Sequence, residues 1–241
     1  SKTAMGVFPS VEAAMNAVFK TFAAGITPVA MEFLDNLTIR AVEQLHNKGL
    51  PTEAGAILIT DVDGNLEIDL DGQMGELEKV FMENGCTEFK RAKDSAEVNA
   101  LWFARRNASQ SLKVYGNKKL NEDITVPRAV LPELLAEFAK ISEKYGLPIP
   151  CFGHTGDGNV HTNVMTDKND PHKMELAEQA IHDVFAVTIK LGGTLSGEHG
   201  IGLAKAPFMT MAFTPEEMNL FRAIKAAFDP NNILNPGKMG L

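Results

Sequence analysis

Cysteine is nearly absent. It occurs twice in 241 residues, at Cys86 and Cys151, far apart and in no redox or metal-ligand spacing. That excludes a disulfide framework and makes a reducing, cytoplasmic setting the expectation. Positive charge is also in deficit: 23 Lys and Arg against 31 Asp and Glu leave a formal net charge of −8. A surface of that sign repels phosphate backbones, so nucleic acid is not an expected partner. An anionic ligand would need cations placed locally against the overall field. Long apolar runs are missing too. Stretches such as 54–59 fall far short of the roughly 20 residues that span a bilayer. No secretory signal pattern opens the chain, and its start at Ser1-Lys2-Thr3 reads as processed or engineered. What remains, 44% hydrophobic and 22% charged, is the balance of a globular chain. Its length suits one large domain, or a medium one with an appendage.

Val11, Ala14, Met15, Val18, Phe19 and Phe22 recur at helical spacing, with Ser10 as cap and Gly25 as stop. Further helices are expected over about 35–48, 72–84, 94–113, 128–145, 172–191 and 201–213. Another begins at Thr214, where Thr214 and Glu217 make a capping box and Pro215 suits the first helical position. Strands are expected over about 54–62, 86–92, 122–126, 149–152 and 159–165. The alternation predicts an α+β fold: an antiparallel sheet with helices on one face, ferredoxin-like in one or two copies, plus a small C-terminal helical segment. Residues 1–192 would form the main domain and 193–241 the helical segment.

The segment Phe152-Gly153-His154-Thr155-Gly156-Asp157-Gly158-Asn159-Val160-His161-Thr162-Asn163 carries a tight reversal, because Gly-Asp-Gly-Asn tolerates positive φ. His154 precedes the reversal and His161 follows it, so a hairpin brings two imidazoles to one side. Two converging imidazoles are half of a metal site. Asn163 points the same way as His161 two residues on. The plainer alternative is a turn flanked by histidines that backbone carbonyls satisfy.

A third ligand is sought in Gly192-Gly193-Thr194-Leu195-Ser196-Gly197-Glu198-His199-Gly200-Ile201-Gly202. Adjacent side chains in extended backbone diverge, so one of Glu198 and His199 can face a metal and the other a substrate. Two histidines and one carboxylate leave positions open, as catalytic sites do. A phosphate loop is a poor reading, since neither nucleotide-loop spacing is met and Glu198 would oppose the anion. A flexible glycine joint with a charged pair remains open.

His-Thr-Gly-Asp-Gly-Asn-Val-His, Ser-Gly-Glu-His-Gly-Ile-Gly and Phe228-Asp229-Pro230-Asn231-Asn232-Ile233-Leu234-Asn235-Pro236-Gly237-Lys238 follow in this order. Together they resemble the C-terminal domain of the FAD-linked oxidases of the vanillyl-alcohol-oxidase superfamily, of the glycolate oxidase, D-lactate dehydrogenase and D-2-hydroxyglutarate dehydrogenase kinds. Glu32-Phe33-Leu34-Asp35 and Trp102-Phe103-Ala104-Arg105 extend the likeness over nearly the whole chain. The resemblance implies that His154, His161 and Glu198 hold a divalent metal, zinc being the first choice, and that His199 is the catalytic base. It implies that Arg105 binds the substrate carboxylate, with Ser109 and Asn163 as further substrate contacts, and that Asn235, Gly237 and Lys238 face the cofactor. The 2-hydroxyglutarate enzymes carry a lysine where Asn121 falls, although Lys118 and Lys119 are near. That departure points away from a dicarboxylate.

The implied function is the substrate- and metal-binding C-terminal domain of a flavin-dependent 2-hydroxyacid dehydrogenase, of D-lactate or glycolate type. Metal and His199 would activate the hydroxyl for hydride transfer to FAD. An N-terminal domain would hold most of the FAD, and nothing before Ser10 can be that domain. The chain alone is therefore expected to bind no FAD and to be inactive. Expected partners are a small 2-hydroxyacid, the FAD-binding domain and an electron-accepting subunit, in the cytoplasm or peripheral to a membrane. Two other classes stay open: a metal-dependent hydrolase, and a non-catalytic module that binds metal or a partner chain.

Overall fold

The computed structural model of the chain describes residues 1–64 and 69–241. Strands β1 (Lys2–Phe8), β2 (Ala30–Asp35), β3 (Ala56–Val62), β4 (Glu88–Arg91), β5 (Lys118–Thr125), β6 (Cys151–His154) and β7 (Asn159–Thr166) form one seven-stranded antiparallel sheet among the described residues, in the order β4-β1-β3-β2-β6-β7-β5. The helices are α1 (Val11–Ala23), α2 (Asn36–His46), α3 (Leu70–Glu83), α4 (Ser95–Ser111), α5 (Leu131–Tyr145), α6 (Pro171–Lys190), α7 (Met209–Ala212) and α8 (Pro215–Phe228).

The order explains the doubling. β1-α1-β2, then β3-α3-β4, arranged 4-1-3-2, is a ferredoxin-like unit with α2 inserted between β2 and β3. β5-α5-β6-β7-α6 repeats it without a fourth strand, and the two units join edge to edge through β2 and β6. In the place of that fourth strand, beside β5, runs the glycine segment, held by an antiparallel bridge between Thr125 and Thr194.

The antiparallel α+β class is as expected, but helices cover both faces rather than one. Strand side chains alternate between faces, and the apolar ones divide accordingly. Phe8, Phe33, Leu58, Ile124 and Val160 pack with α1, α3, α5 and α6. Val7, Leu34, Ile57, Ile59 and Phe152 pack with Leu101, Ala104 and Ala108 of α4 and with Ile39 and Val42 of α2. α2 and α4 thus form a second, smaller layer.

β1 and β2 had no counterpart in the sequence expectations. Both are central strands that lack a clean polar and apolar alternation, and β2 is interrupted by the charge of Glu32. The helix expected near 201–213 is corrected to turns, a 3-10 turn over Ala206–Phe208 and the single turn of α7. Its cause is local. Gly200 and Gly202 adopt positive φ, and the buried Lys205 ammonium donates to the carbonyls of Asp123 and Leu195, which ties the segment to β5. The capping box at Thr214 forms as expected.

Candidate metal and substrate site

The β registers lay out one face of the site before any side chain is placed. Glu32 pairs with His154, Phe152 with His161, and His161 with Asp123. Directly opposed residues share a face, and this one is the face that α4 partly covers. The reversal expected after His154 is present: β6 and β7 are joined by a 3-10 turn over Thr155–Asp157 and by Gly158 at φ 75°. His154 and His161 meet edge to face, with ring centroids 5.4 Å apart.

The glycine segment approaches from the open edge. Asp123 is fully buried, and its Oδ2 accepts the backbone N–H groups of Gly197 (3.0 Å), Glu198 (2.7 Å) and His199 (2.8 Å) and the Ser196 hydroxyl (3.1 Å). Its Oδ1 accepts the Asn159 amide at 2.5 Å. Burial alone would raise the Asp123 pKa. The N–H of His199, the Asn159 amide and the N–H of Glu198 outweigh it and hold the carboxyl well below the usual range. Only glycine permits this approach at 197, since a Cβ there would lie 1.9 Å from Asn159 Nδ2 and 2.5 Å from Thr125 Oγ1.

The loop so anchored places Glu198 against three imidazoles. Glu198 Oε1 is 4.0 Å from His154 Nε2, 3.6 Å from His161 Nε2 and 3.7 Å from His199 Nε2. The rings of His161 and His199 lie nearly parallel, 15° apart. One donor atom each from His154, His161 and Glu198 fall within 4.8 Å of one another. Tetrahedral bonds of about 2.1 Å need donors about 3.4 Å apart, so small side-chain adjustments meet that requirement. Burial, then the charges of Arg105 and His154, lower the His161 pKa to about 4, and the ring is therefore neutral and able to ligate near pH 7. The donor set fits a divalent transition metal of the open, catalytic kind.

Arg105, on α4, closes the other side. Its Nε donates to Glu32 Oε2, its Nη2 lies 3.4 Å from His154 Nε2, and its guanidinium stacks 5.0 Å from the Phe152 ring centroid. Glu32 also accepts from His154 Nδ1, and that bond raises the His154 pKa against the effect of burial. For Glu32 itself burial acts upward, but His154 and Arg105 prevail and its pKa is lowered. Arg106 points elsewhere, to the Asn99 carbonyl.

The chain matches the family described as FAD linked oxidases, C-terminal domain, over residues 1–239. It belongs to that family. It is 39% identical over 238 residues to the glycolate oxidase subunit GlcD of Bacillus subtilis (strain 168), covering 99% of this chain and 50% of that protein. Against the probable mitochondrial D-lactate dehydrogenase of Danio rerio it is 29% identical over 234 residues, covering 96% of this chain and 46% of that protein. Among solved structures, a crystal structure of p-cresol methylhydroxylase with substrate bound shares the fold at a TM-score of 0.72 and 15% identity, covering all of this chain and 52% of that one. The chain thus spans about half the length of the curated relatives it matches.

The remaining expected residues are placed less uniformly. Ser109, one helical turn beyond Arg105, accepts from Lys119 Nζ at 2.6 Å. Lys119 shares the face of Asn121 and Asp123 on β5. Asn163 is buried, and its amide is committed to Asn121 (2.7 Å), the Pro150 carbonyl and the His161 carbonyl. Asn235, Gly237 and Lys238 are exposed in the tail, which returns to the glycine segment through Met239 N donating to Gly202 O (2.8 Å). Glu32, Lys119, Asp123 and Asn159 were not singled out from sequence as site residues. Lys119 and Asn159 lie within or beside stretches already noted in the sequence, and Glu32 is an acid set between Met31 and Phe33 in an otherwise apolar run.

Proposed function

We propose that this chain is the substrate- and metal-binding part of a flavin-dependent 2-hydroxyacid oxidoreductase of the glycolate oxidase or D-lactate dehydrogenase type. The observation that carries the reading is the convergence of His154, His161 and Glu198 beside an arginine and a further histidine on one sheet face. When bound, a divalent cation supplies Lewis-acid polarisation of a hydroxyl oxygen, and a flavin supplies a two-electron acceptor. His154, His161 and Glu198 hold the cation, with zinc as the first candidate.

Arg105 takes the substrate carboxylate through its Nη edge, because Nε is committed to Glu32. That grip fixes which face of the α carbon is presented. His199 stands beside Glu198 and receives the hydroxyl proton on Nε2. Ser109 and Lys119 border the far end of the acid, and Asn163 acts by holding Asn121.

The rest of a longer polypeptide supplies the flavin-binding half, with 193–241 as the part that faces it through Asn235, Gly237 and Lys238. Two observations support this. Glu198 and His199 are about half exposed, so the cluster opens toward a second body. Leu220, Ile224 and Phe228 recur every four residues on the exposed side of α8, followed by exposed Ile233 and Leu234. Two-electron chemistry also calls for an electron-accepting partner. Among the described residues no helix is long and apolar enough to cross a membrane. The two cysteines are free and buried, which supports a reducing, cytoplasmic location.

The test is calorimetric titration of the zinc-loaded chain with D-lactate, glycolate and 2-hydroxyglutarate. Binding of one of the two small acids that is lost in Arg105→Met supports the reading. Failure of all three acids to bind overturns it.

A further inference from the structure

Glu32 lies on β2, a central strand, with its side chain 6% exposed, directly across from His154 in the β2–β6 register. Its two oxygens are divided between two elements. Oε1 accepts from His154 Nδ1 at 2.5 Å and Oε2 from Arg105 Nε at 2.5 Å. The bonds have separate consequences. A neutral imidazole that donates from Nδ1 carries its lone pair on Nε2, and Nε2 is the atom that faces Glu198 at 4.0 Å. A guanidinium held through Nε turns its Nη1 and Nη2 edge away from Glu32, with Nη2 3.4 Å from His154 Nε2 and Cζ 5.0 Å from the Phe152 ring centroid.

A carboxylate buried in a central strand adds little to stability compared with an apolar side chain of similar size. Its neighbours on this face, Leu34, Ile59 and Phe152, would accept such a side chain. The effect of Glu32 therefore lies in what it holds. Among the described residues the Phe152–His161 pair beside it has no equivalent acid within hydrogen-bond reach, since His161 Nδ1 has no partner there and is 4.0 Å from Asp123. The Glu32 bonds are specific to His154 and Arg105.

Resting on the metal reading above, we propose that Glu32 is a positioning residue that sets the His154 tautomer and the Arg105 fork from one carboxylate, so that the metal site and the carboxylate subsite are built together. Glutamine at this position satisfies only one partner. Its carbonyl can accept from His154, but its NH2 then opposes the Arg105 N–H. Aspartate keeps the charge and loses reach.

The test compares the unaltered 241-residue chain with Glu32→Gln, Glu32→Asp and Arg105→Gln, titrated with Zn2+ and then, zinc-loaded, with D-lactate. Zinc affinity falls about 10- to 100-fold in Glu32→Gln, as for other groups that orient a ligating histidine. D-Lactate affinity falls with it. Arg105→Gln loses D-lactate affinity and keeps the zinc affinity of the unaltered chain, and Glu32→Asp falls between the unaltered chain and Glu32→Gln. A purely structural role for Glu32 would lower the melting temperature and leave zinc affinity untouched.

One measurement needs no variant at all. Long-range 1H–15N spectra of the metal-free unaltered chain, at a pH where the ring is neutral, show His154 in the Nδ1–H form. A His154 found as Nε2–H overturns the inference. So does zinc binding that is lost in His161→Ala yet unchanged in a folded Glu32→Gln, which leaves the metal reading intact. Absence of zinc binding by the unaltered chain overturns both.

Discussion

Asp123 stands directly across the β5–β7 ladder from His161, and its Oδ2 accepts the backbone N–H of His199 at 2.8 Å. A sheet strand and a loop distant in sequence are therefore fixed relative to each other by one buried acid. Asp123→Asn turns an NH2 toward donors that need an acceptor. The expected loss is on the order of 3 kcal/mol in urea unfolding, with zinc affinity reduced at least tenfold as Glu198 drifts. The acid limb of stability also changes. A carboxyl whose folded pKa is depressed contributes fully above its unfolded value near ~3.9 and loses that contribution as pH falls through the lower folded value. Asp123→Asn flattens the stability curve in that acid range and leaves its slope near neutrality unchanged.

His161 governs the adjoining window. Its folded pKa of about 4 lies below the ordinary value of 6.5, so the unfolded chain binds a proton there that the folded, metal-free chain does not. Stability therefore rises with pH between about 4 and 6.5, by up to roughly 1.4 kcal/mol per pH unit for this one group. His161→Gln removes that contribution. Denaturant melts of the metal-free chain across this range check it, and an unchanged slope in His161→Gln contradicts the assignment.

Gly197→Ala tests the close approach of the loop. The added methyl meets Asn159 Nδ2 and Thr125 Oγ1, and the loop must lift off β5. Overpacking of this kind costs about 1–3 kcal/mol. Since Glu198 follows directly, zinc affinity drops while His154 and His161 stay in register. Gly200→Ala, by contrast, meets no neighbouring atoms, although its φ of 78° strains any side chain.

Much of this site was legible in the amino-acid sequence, and the gaps have a physical cause. The hairpin that joins His154 to His161 follows from Gly-Asp-Gly-Asn; the flanking glycines point to the Glu198-His199 pair, and the choice of Glu198 as the ligand comes from the family resemblance. The partner acids were hidden. Asp123 sits in Lys118–Thr125, a strand so polar that no position stands out, and its role depends on a loop that arrives some seventy residues later. Glu32 was the reverse case. It made β2 look unlike a strand, and its partners, His154 and Arg105, lie on elements that only the fold brings together. The second helical layer was missed for a related reason. Central strands buried on both faces lose the alternation that marks a one-sided sheet.

Arg105→Lys separates charge from geometry. Lysine keeps a cation over the substrate but lacks the planar fork and the Nε bond to Glu32. D-Lactate binding to the zinc-loaded chain is expected to weaken about tenfold or more, with zinc affinity close to that of the unaltered chain. Equal acid affinity in the lysine variant would show that Arg105 acts as a point charge alone.

Two loops distant in the chain build the proposed metal site together, and elemental analysis after zinc loading measures whether they do. One divalent ion per chain is expected in the unaltered protein and in His199→Ala, and none in His161→Ala or Glu198→Ala. A chain that retains no ion, or an ion that survives both of the latter substitutions, rules out a site built from these two loops.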